Sequence, residues 1–268
     1  MITAVLAVAI AALLLLLHAE LAVFTPVPRR GLRVLMYHRV EDTPSRGAVT
    51  PAQLELQVRW LRERGYDLVR LGDVVRHERE GAALPARPVL LTFDDGTADA
   101  HDRLLPLLRR LEAPAAVFAV PGFAGSTRPY DGALVRFADP AELRALAEAG
   151  VEIALHTFEH EDLSRRTPHE AAEDATRCRR WLSGAGIPHE PALAYPFGSY
   201  PRKDPARRAA FLAALRGAGI AIGFRIGNRV NPLPLPSPLE IQRTEVRGDE
   251  PLWVFAWKVS RGRRKGFA

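Results

Sequence analysis

Two short clusters of acidic and imidazole side chains carry the chemistry in this chain. Thr92-Phe93-Asp94-Asp95-Gly96 sets two carboxylates side by side, and His156-Thr157-Phe158-Glu159-His160 sets two imidazoles four residues apart further along. Two imidazoles and one carboxylate are a ligand set for a catalytic zinc-type site, which leaves positions open for water and substrate. A second carboxylate beside such ligands suits the general base of a metal-assisted hydrolase. Alone, each motif is weak, since Asp-Asp-Gly is also a common turn. The histidine spacing lets both rings face one way at the start of a helical turn.

Whether the clusters meet depends on the elements that carry them. Apolar runs predict strands at Arg33–Tyr37, Val89–Phe93, Ala115–Val120, Val151–Leu155, Ala192–Tyr195, Ile220–Phe224 and Ile241–Val246, with a short one at Leu68–Arg70. Helices alternate with them. Thr50-Pro51-Ala52-Gln53, Asp139-Pro140-Ala141-Glu142 and Thr167-Pro168-His169-Glu170 are capping boxes with Pro at the first helical position. Further helices are expected from Gly72 to Glu80, His101 to Leu111, Pro205 to Arg216 and Leu252 to Val259. Regular β-α alternation predicts a parallel sheet, open or closed into a barrel. His38, Asp94 with Asp95, His156 and Pro196-Phe197-Gly198 each follow a predicted strand. The C-terminal ends of barrel strands form the face that carries active sites.

Composition sets outer limits. Of 268 residues, 47% are hydrophobic and 25% charged, enough for one large domain with a full core. The net charge of +6 is spread along the chain without a nucleic-acid motif, so no nucleic-acid partner is expected. A single cysteine, Cys178, excludes an internal disulfide and reads as a buried thiol. The first 24 residues are almost uncharged and apolar, which reads as an N-terminal hydrophobic helix that anchors the chain in a membrane. A cleaved signal peptide fits less well, because no Lys or Arg precedes the apolar run. Residues 25–32 read as a linker, 33–250 as the main domain, and 251–268 as a last helix and basic tail. Arg29, Arg30 and Arg33 would favour a cytoplasmic location for that domain.

The motifs together resemble the polysaccharide deacetylases, the NodB-like carbohydrate esterase family 4. The Asp-Asp-Gly and His-His segments match the first two motifs of that family, and Tyr195-Pro196-Phe197-Gly198-Ser199-Tyr200 resembles the third. Leu35-Met36-Tyr37-His38-Arg39-Val40 resembles an upstream motif of the subgroup with the biofilm poly-N-acetylglucosamine deacetylases. The resemblance implies a distorted (β/α) barrel and a hydrolase that removes N-acetyl groups from hexosamine units of a glycan. It implies Asp95, His156 and His160 as ligands of a divalent metal, zinc first, with cobalt or nickel as alternatives. It also implies Asp94 as general base, the backbone N–H of Phe197 as an oxyanion donor, and His38 as the acid that protonates the departing amine. A glycan outside the cytoplasmic membrane is the implied substrate, which conflicts with the orientation suggested by the arginines.

Two positions depart from the family pattern. Ala194 stands where an arginine often orients the base, and Arg243 is the residue expected to substitute. No histidine follows His189, so a C-terminal acid histidine is missing and His38 alone fills that part. These departures keep open a glycan-binding pseudoenzyme, and the shared chemistry keeps open a hydrolase of non-sugar amides or esters. His77, His101, His169 and His189 are read as helix or loop residues without a role, and Trp253 with Trp257 as core packing on the last helix.

Overall fold

The computed structural model describes residues 2–21, 30–130 and 132–262. The linker expected over 25–32 and the tail at 263–268 lie largely outside the described residues. Seven strands form the centre: β1 (Gly31–Tyr37), β2 (Pro88–Phe93), β3 (Ala116–Ala119), β4 (Glu152–Leu155), β5 (His189–Ala194), β6 (Ile222–Ile226) and β7 (Ile241–Glu245). Each pairs in parallel with the next in sequence, and β1 pairs with both β2 and β7, so the sheet closes into a barrel. The helices are α1 (Ile2–Leu21), α2 (Pro51–Glu63), α3 (Leu71–Glu80), α4 (Leu105–Leu111), α5 (Pro140–Glu148), α6 (Pro168–Gly184), α7 (Pro205–Gly217) and α8 (Leu252–Arg261). The predicted capping boxes at Thr50, Asp139 and Thr167 all form.

The strands read as continuous apolar runs because both of their faces are buried. The outer face packs under the helices through residues such as Leu35, Leu91, Val117, Ile153 and Leu193. The inner face carries Leu32, Val34, Leu90, Ala116, Phe118, Ala154, Ala192, Ala194, Ile222, Phe224 and Ile241. Small alanines on three strands leave room for two aromatic rings, and Phe118 meets Phe224 edge to face at 5.4 Å. At the N-terminal end of the barrel, Glu152 accepts hydrogen bonds from Leu71 N (2.6 Å) and Gly72 N (2.9 Å). A buried carboxylate therefore holds the positive end of α3 against the barrel floor.

Side-chain parity links this core to the mouth of the barrel. Residues two apart on a strand share a face. Continuing the inward series past the core leads to Met36 and His38, Asp94, His156, Ile226, and Arg243 with Glu245. All of these line one pocket of about 410 Å³.

The structure revises several sequence readings. Helix His101–Leu111 begins with a wider turn, Ala100–Leu104, before the regular helix. His189 is the first residue of β5 rather than part of a loop. Trp253 is 64% exposed, while Phe255 and Val259 fill the core side of α8, so a four-residue spacing put the wrong ring inward. Between β3 and α5, where no element was expected, lies an antiparallel hairpin of Thr127–Tyr130 and Ala133–Arg136. The large apolar side chains described in α1, from Val5 to Leu15, are exposed. Among the described residues no helix is long and apolar enough to cross a membrane, so the transmembrane anchor expected over 1–24 gains no support.

Removing one interior ring tests the packing. Phe224→Ala is expected to lower unfolding free energy by about 3–5 kcal/mol. Leu134→Ala, at a side chain 73% exposed, should shift it by less than about 0.5 kcal/mol. Urea denaturation of both variants checks the contrast.

Candidate functional site

The acid pair sits where β2 runs out. Asp94 N still donates to Tyr37 O at 2.9 Å, so Asp94 keeps the sheet register and its side chain faces inward. The next two residues turn left-handed, Asp95 at φ 76° and Gly96 at φ 68°. A Cβ at Gly96 would stand 3.0 Å from Ala119 Cα, so both the turn and the close approach to β3 require glycine. The second cluster follows β4. His156 N donates to Ala119 O at 3.0 Å, and the chain then leaves the sheet through Thr157 (φ 61°) to His160 (φ 56°).

The segment between the histidines is not the helical turn expected from their spacing. It is an irregular loop held by side chains. Phe158 N–H donates to the Asp174 carboxylate on α6 at 3.0 Å, and Glu161 N–H donates to Thr157 Oγ1 at 2.9 Å. Arg177 lies over the Phe158 ring at 3.5 Å. Two left-handed residues let imidazoles four apart converge without a helix.

They converge on Asp95. His156 Nε2 and His160 Nε2 each lie 3.5 Å from Asp95 Oδ1. The ligand atoms of the three residues lie within 4.8 Å of one another. Zinc–ligand bonds of about 2.0–2.1 Å at tetrahedral angles separate ligand atoms by about 3.3–3.4 Å. His156 Nδ1 sits 2.8 Å from Ala194 O, and as donor to that carbonyl it leaves the Nε2 lone pair facing Asp95. Donor types, spacing and tautomer all fit a divalent ion.

Asp94 faces the same point, with Oδ2 3.8 Å from His156 Nε2. Arg243 reaches it from β7 in a fork, Nη1 to Oδ1 at 2.5 Å and Nη2 to Oδ2 at 2.6 Å. Both side chains are almost fully buried. Arg243 Nη1 also lies 3.3 Å from Thr92 Oγ1, which donates to Leu35 O at 2.8 Å. Phe197 stands on the rim in the turn after β5, at φ 58°, with its ring edge-on to His160 at 4.7 Å. His38 follows β1 and lines the same pocket. All seven residues singled out from sequence thus border one cavity.

Sequence reasoning missed Tyr130. Its hydroxyl donates to Asp95 Oδ1 at 3.0 Å and lies 3.2 Å from His160 Nε2. The signal was present, because the Asp-Gly pair that follows Tyr130 in the sequence favours a two-residue hairpin turn. Asp174 and the Ala194 carbonyl were also missed, since nothing in a single chain marks a helix carboxylate or a main-chain oxygen as a support.

Burial by itself raises the Asp94 carboxyl, but Arg243 and His156 outweigh it and hold it below the ordinary carboxylate value. Asp95 is likewise pushed up by burial and brought well below the usual range by its histidine neighbours. Burial and the neighbouring His156 bring His160 down to about 4. Burial lowers His156 too, but Asp94 and Asp95 more than reverse that. Two carboxylates and a neutral His160 suit a cation, and its binding competes with protonation of His156.

Comparison with known proteins adds an independent line. A family model described as "Polysaccharide deacetylase" matches residues 81–213. The chain is 32% identical over 144 residues to the poly-beta-1,6-N-acetyl-D-glucosamine N-deacetylase of Escherichia coli (strain K12), covering 50% of this chain and 21% of that protein. It is 22% identical over 188 residues to the protein of the same name from Staphylococcus aureus (strain MRSA252), covering 67% of this chain and 61% of the other. The chain therefore spans less than two thirds of either relative. The structure of IcaB from Ammonifex degensii superposes with a TM-score of 0.71 at 24% identity, over 88% of this chain and all of that one, a likeness of fold.

Replacing Arg243 tests the ion pair. With Arg243→Gln, burial of Asp94 is opposed only by its histidine neighbours, and stability at pH 7 in chelator should fall by about 3–5 kcal/mol. In the wild type the folded pKa lies below the unfolded one, near 3.9, so this contribution is lost as pH falls below about 4. In the variant Asp94 should titrate above its unfolded value, so acidification toward pH 5 should restore part of the loss. Urea denaturation of both proteins at the two pH values reads the opposite slopes.

Proposed function

We propose, on the footing that this chain belongs to the polysaccharide deacetylase family, that it is a metal-dependent hydrolase of N-acetyl groups on hexosamine units of a glycan. The convergence of Asp95, His156 and His160 beside the Arg243–Asp94 pair carries this reading. Asp95, His156 and His160 would hold the divalent ion, zinc first, with cobalt or nickel as substitutes. Bound there, the ion supplies Lewis acidity toward the amide carbonyl and the attacking water.

The remaining steps belong to the chain. Asp94 accepts the proton of the attacking water, and Arg243 keeps that carboxylate charged and aimed at the pocket. The Phe197 N–H, turned by a left-handed residue at the rim, stabilises the negative charge that develops on the carbonyl oxygen. His38 donates a proton to the sugar nitrogen as the C–N bond breaks, so that acetate and a free amine leave. Tyr130 holds Asp95 through its hydroxyl and closes one side of the pocket. The pseudoenzyme reading rested on Ala194 and on the missing C-terminal histidine; Arg243 answers the first by supplying the guanidinium that pairs with Asp94.

The substrate in this reading is an N-acetylhexosamine polymer outside the cytoplasm, near a membrane that the exposed apolar side chains of α1 contact. Flotation with lipid vesicles should carry the full chain and leave a chain lacking residues 1–24 behind. If both stay at the bottom of the gradient, the membrane contact is wrong.

The purified chain should release acetate from N-acetylglucosamine oligomers, stop on chelation, and recover with zinc or cobalt. Asp94→Asn should lower kcat by about 10²–10⁴ while zinc binding by calorimetry persists. Asp95→Ala should lose both zinc and turnover. Acetate release that survives Asp95→Ala in chelator would sink the mechanism.

A further inference from the structure

A second cleft, of about 320 Å³, lies on the other side of the barrel wall from the catalytic pocket. Arg225 on β6 pairs in register with Gln242 on β7, and both line this cleft. Their chain neighbours Ile226 and Arg243 line the catalytic pocket instead, as alternation along a strand requires. Tyr200 and Arg202, Arg208 on α7, and the segment from Asn231 to Glu240 complete the walls. At the rim, Gly198 borders the catalytic pocket and Tyr200, two residues on, borders the cleft.

The lining holds three guanidinium groups and one carboxylate. That carboxylate, Glu240, is fully engaged. Arg208 grips it with a fork, Tyr200 Oη donates at 2.6 Å and Ser237 Oγ at 2.7 Å. Arg202 and Arg225 remain, and neither forms an ion pair among the described residues. Arg225 Nε is buried without a hydrogen-bond partner, and Nη1 reaches only Ile226 O at 3.3 Å. Burial, together with the charges of Arg202 and Arg208, lowers the Arg225 pKa against the pull of Tyr200 and Glu240. A half-buried guanidinium without an ion pair, and with a buried N–H unpartnered, is costly unless an anion meets it. A planar fork of N–H donors matches a phosphate or carboxylate oxyanion, whereas a neutral sugar can accept single hydrogen bonds but leaves the charge unbalanced.

We propose that this cleft binds a phosphate-type oxyanion carried on the glycan whose N-acetyl group enters the catalytic pocket. Arg225 supplies the fork and Arg202 the second positive charge. The position of the cleft behind the β6–β7 wall, next to the rim at Gly198–Tyr200, makes it a subsite for an acidic substituent along the same polymer. The glycan part rests on the deacetylase reading, whereas the oxyanion site does not.

The test separates the two. Inorganic phosphate is titrated into the full chain carrying Asp95→Ala, in chelator, by calorimetry, so that no metal can hold it. One site is expected. Arg225→Gln in that background should weaken it by about tenfold or more. Arg225→Lys should restore part of the affinity, and Arg109→Gln, on the N-terminal face, should leave it unchanged. Absence of phosphate binding, or equal binding in Arg225→Gln, overturns the site. In the metal-loaded enzyme, Arg225→Gln should raise KM for a phosphorylated N-acetylglucosamine oligomer by about tenfold with kcat unchanged, and leave KM for the neutral oligomer alone. Arg225-dependent phosphate binding without that KM difference removes the glycan from the proposal. Arg225-dependent binding with no deacetylation of any oligomer upholds the cleft and overturns the deacetylase reading instead.

Discussion

The Arg243–Asp94 pair is the interaction around which the mouth of the barrel is arranged. It joins the end of β2 to β7 across β1, at a depth where both ions have left water. A pair of this kind contributes little net stability, because desolvation offsets most of the attraction. What it controls is charge. Burial would neutralise Asp94, and a neutral acid cannot accept a proton. The guanidinium fork keeps the carboxylate ionised in an apolar setting and fixes both of its oxygens. Phe118, whose ring lies 5.5 Å from the Arg243 guanidinium, packs the floor beneath. The aromatic core of the barrel and the charge state of the site are therefore one packing problem.

Backbone strain is concentrated at the same face. Six described non-glycine residues have positive φ, and four of them, Asp95, Thr157, His160 and Phe197, belong to the site loops. Such conformations persist only where surrounding contacts over-determine them. Here those contacts can be named. Tyr130 and the histidines hold Asp95, Asp174 holds the Phe158 amide, and the His160 ring backs Phe197. The supports come from α6 and from a hairpin, elements distant in sequence from the ligands they steady.

Much of this was legible beforehand. Apolar runs and capping boxes marked the barrel strands and their helices, and strand ends put His38, Asp94, His156 and Phe197 on one rim. Other features were not. The loop from His156 to His160 looked helical because spacing alone cannot distinguish a helical turn from a strained loop. Trp253 looked like core because spacing cannot say which face of a helix a barrel will cover. Tyr130 hid in a stretch without strong apolar periodicity.

The sequence by itself determined which side chains could do chemistry and at which strand ends they lie, because ligand type and alternation are local properties. Only the tertiary structure decided what balances Asp94. Ala194 and Arg243 sit on different strands, β5 and β7, and one chain read in order offers no measure of the distance across a barrel. Closure of the sheet brings β7 against β1 and delivers Arg243 to the carboxylate. Position 194 contributes its main-chain carbonyl, which orients His156. The same closure sends Arg225 outward while Arg243 points in, so neighbouring positions on two adjacent strands serve two different cavities.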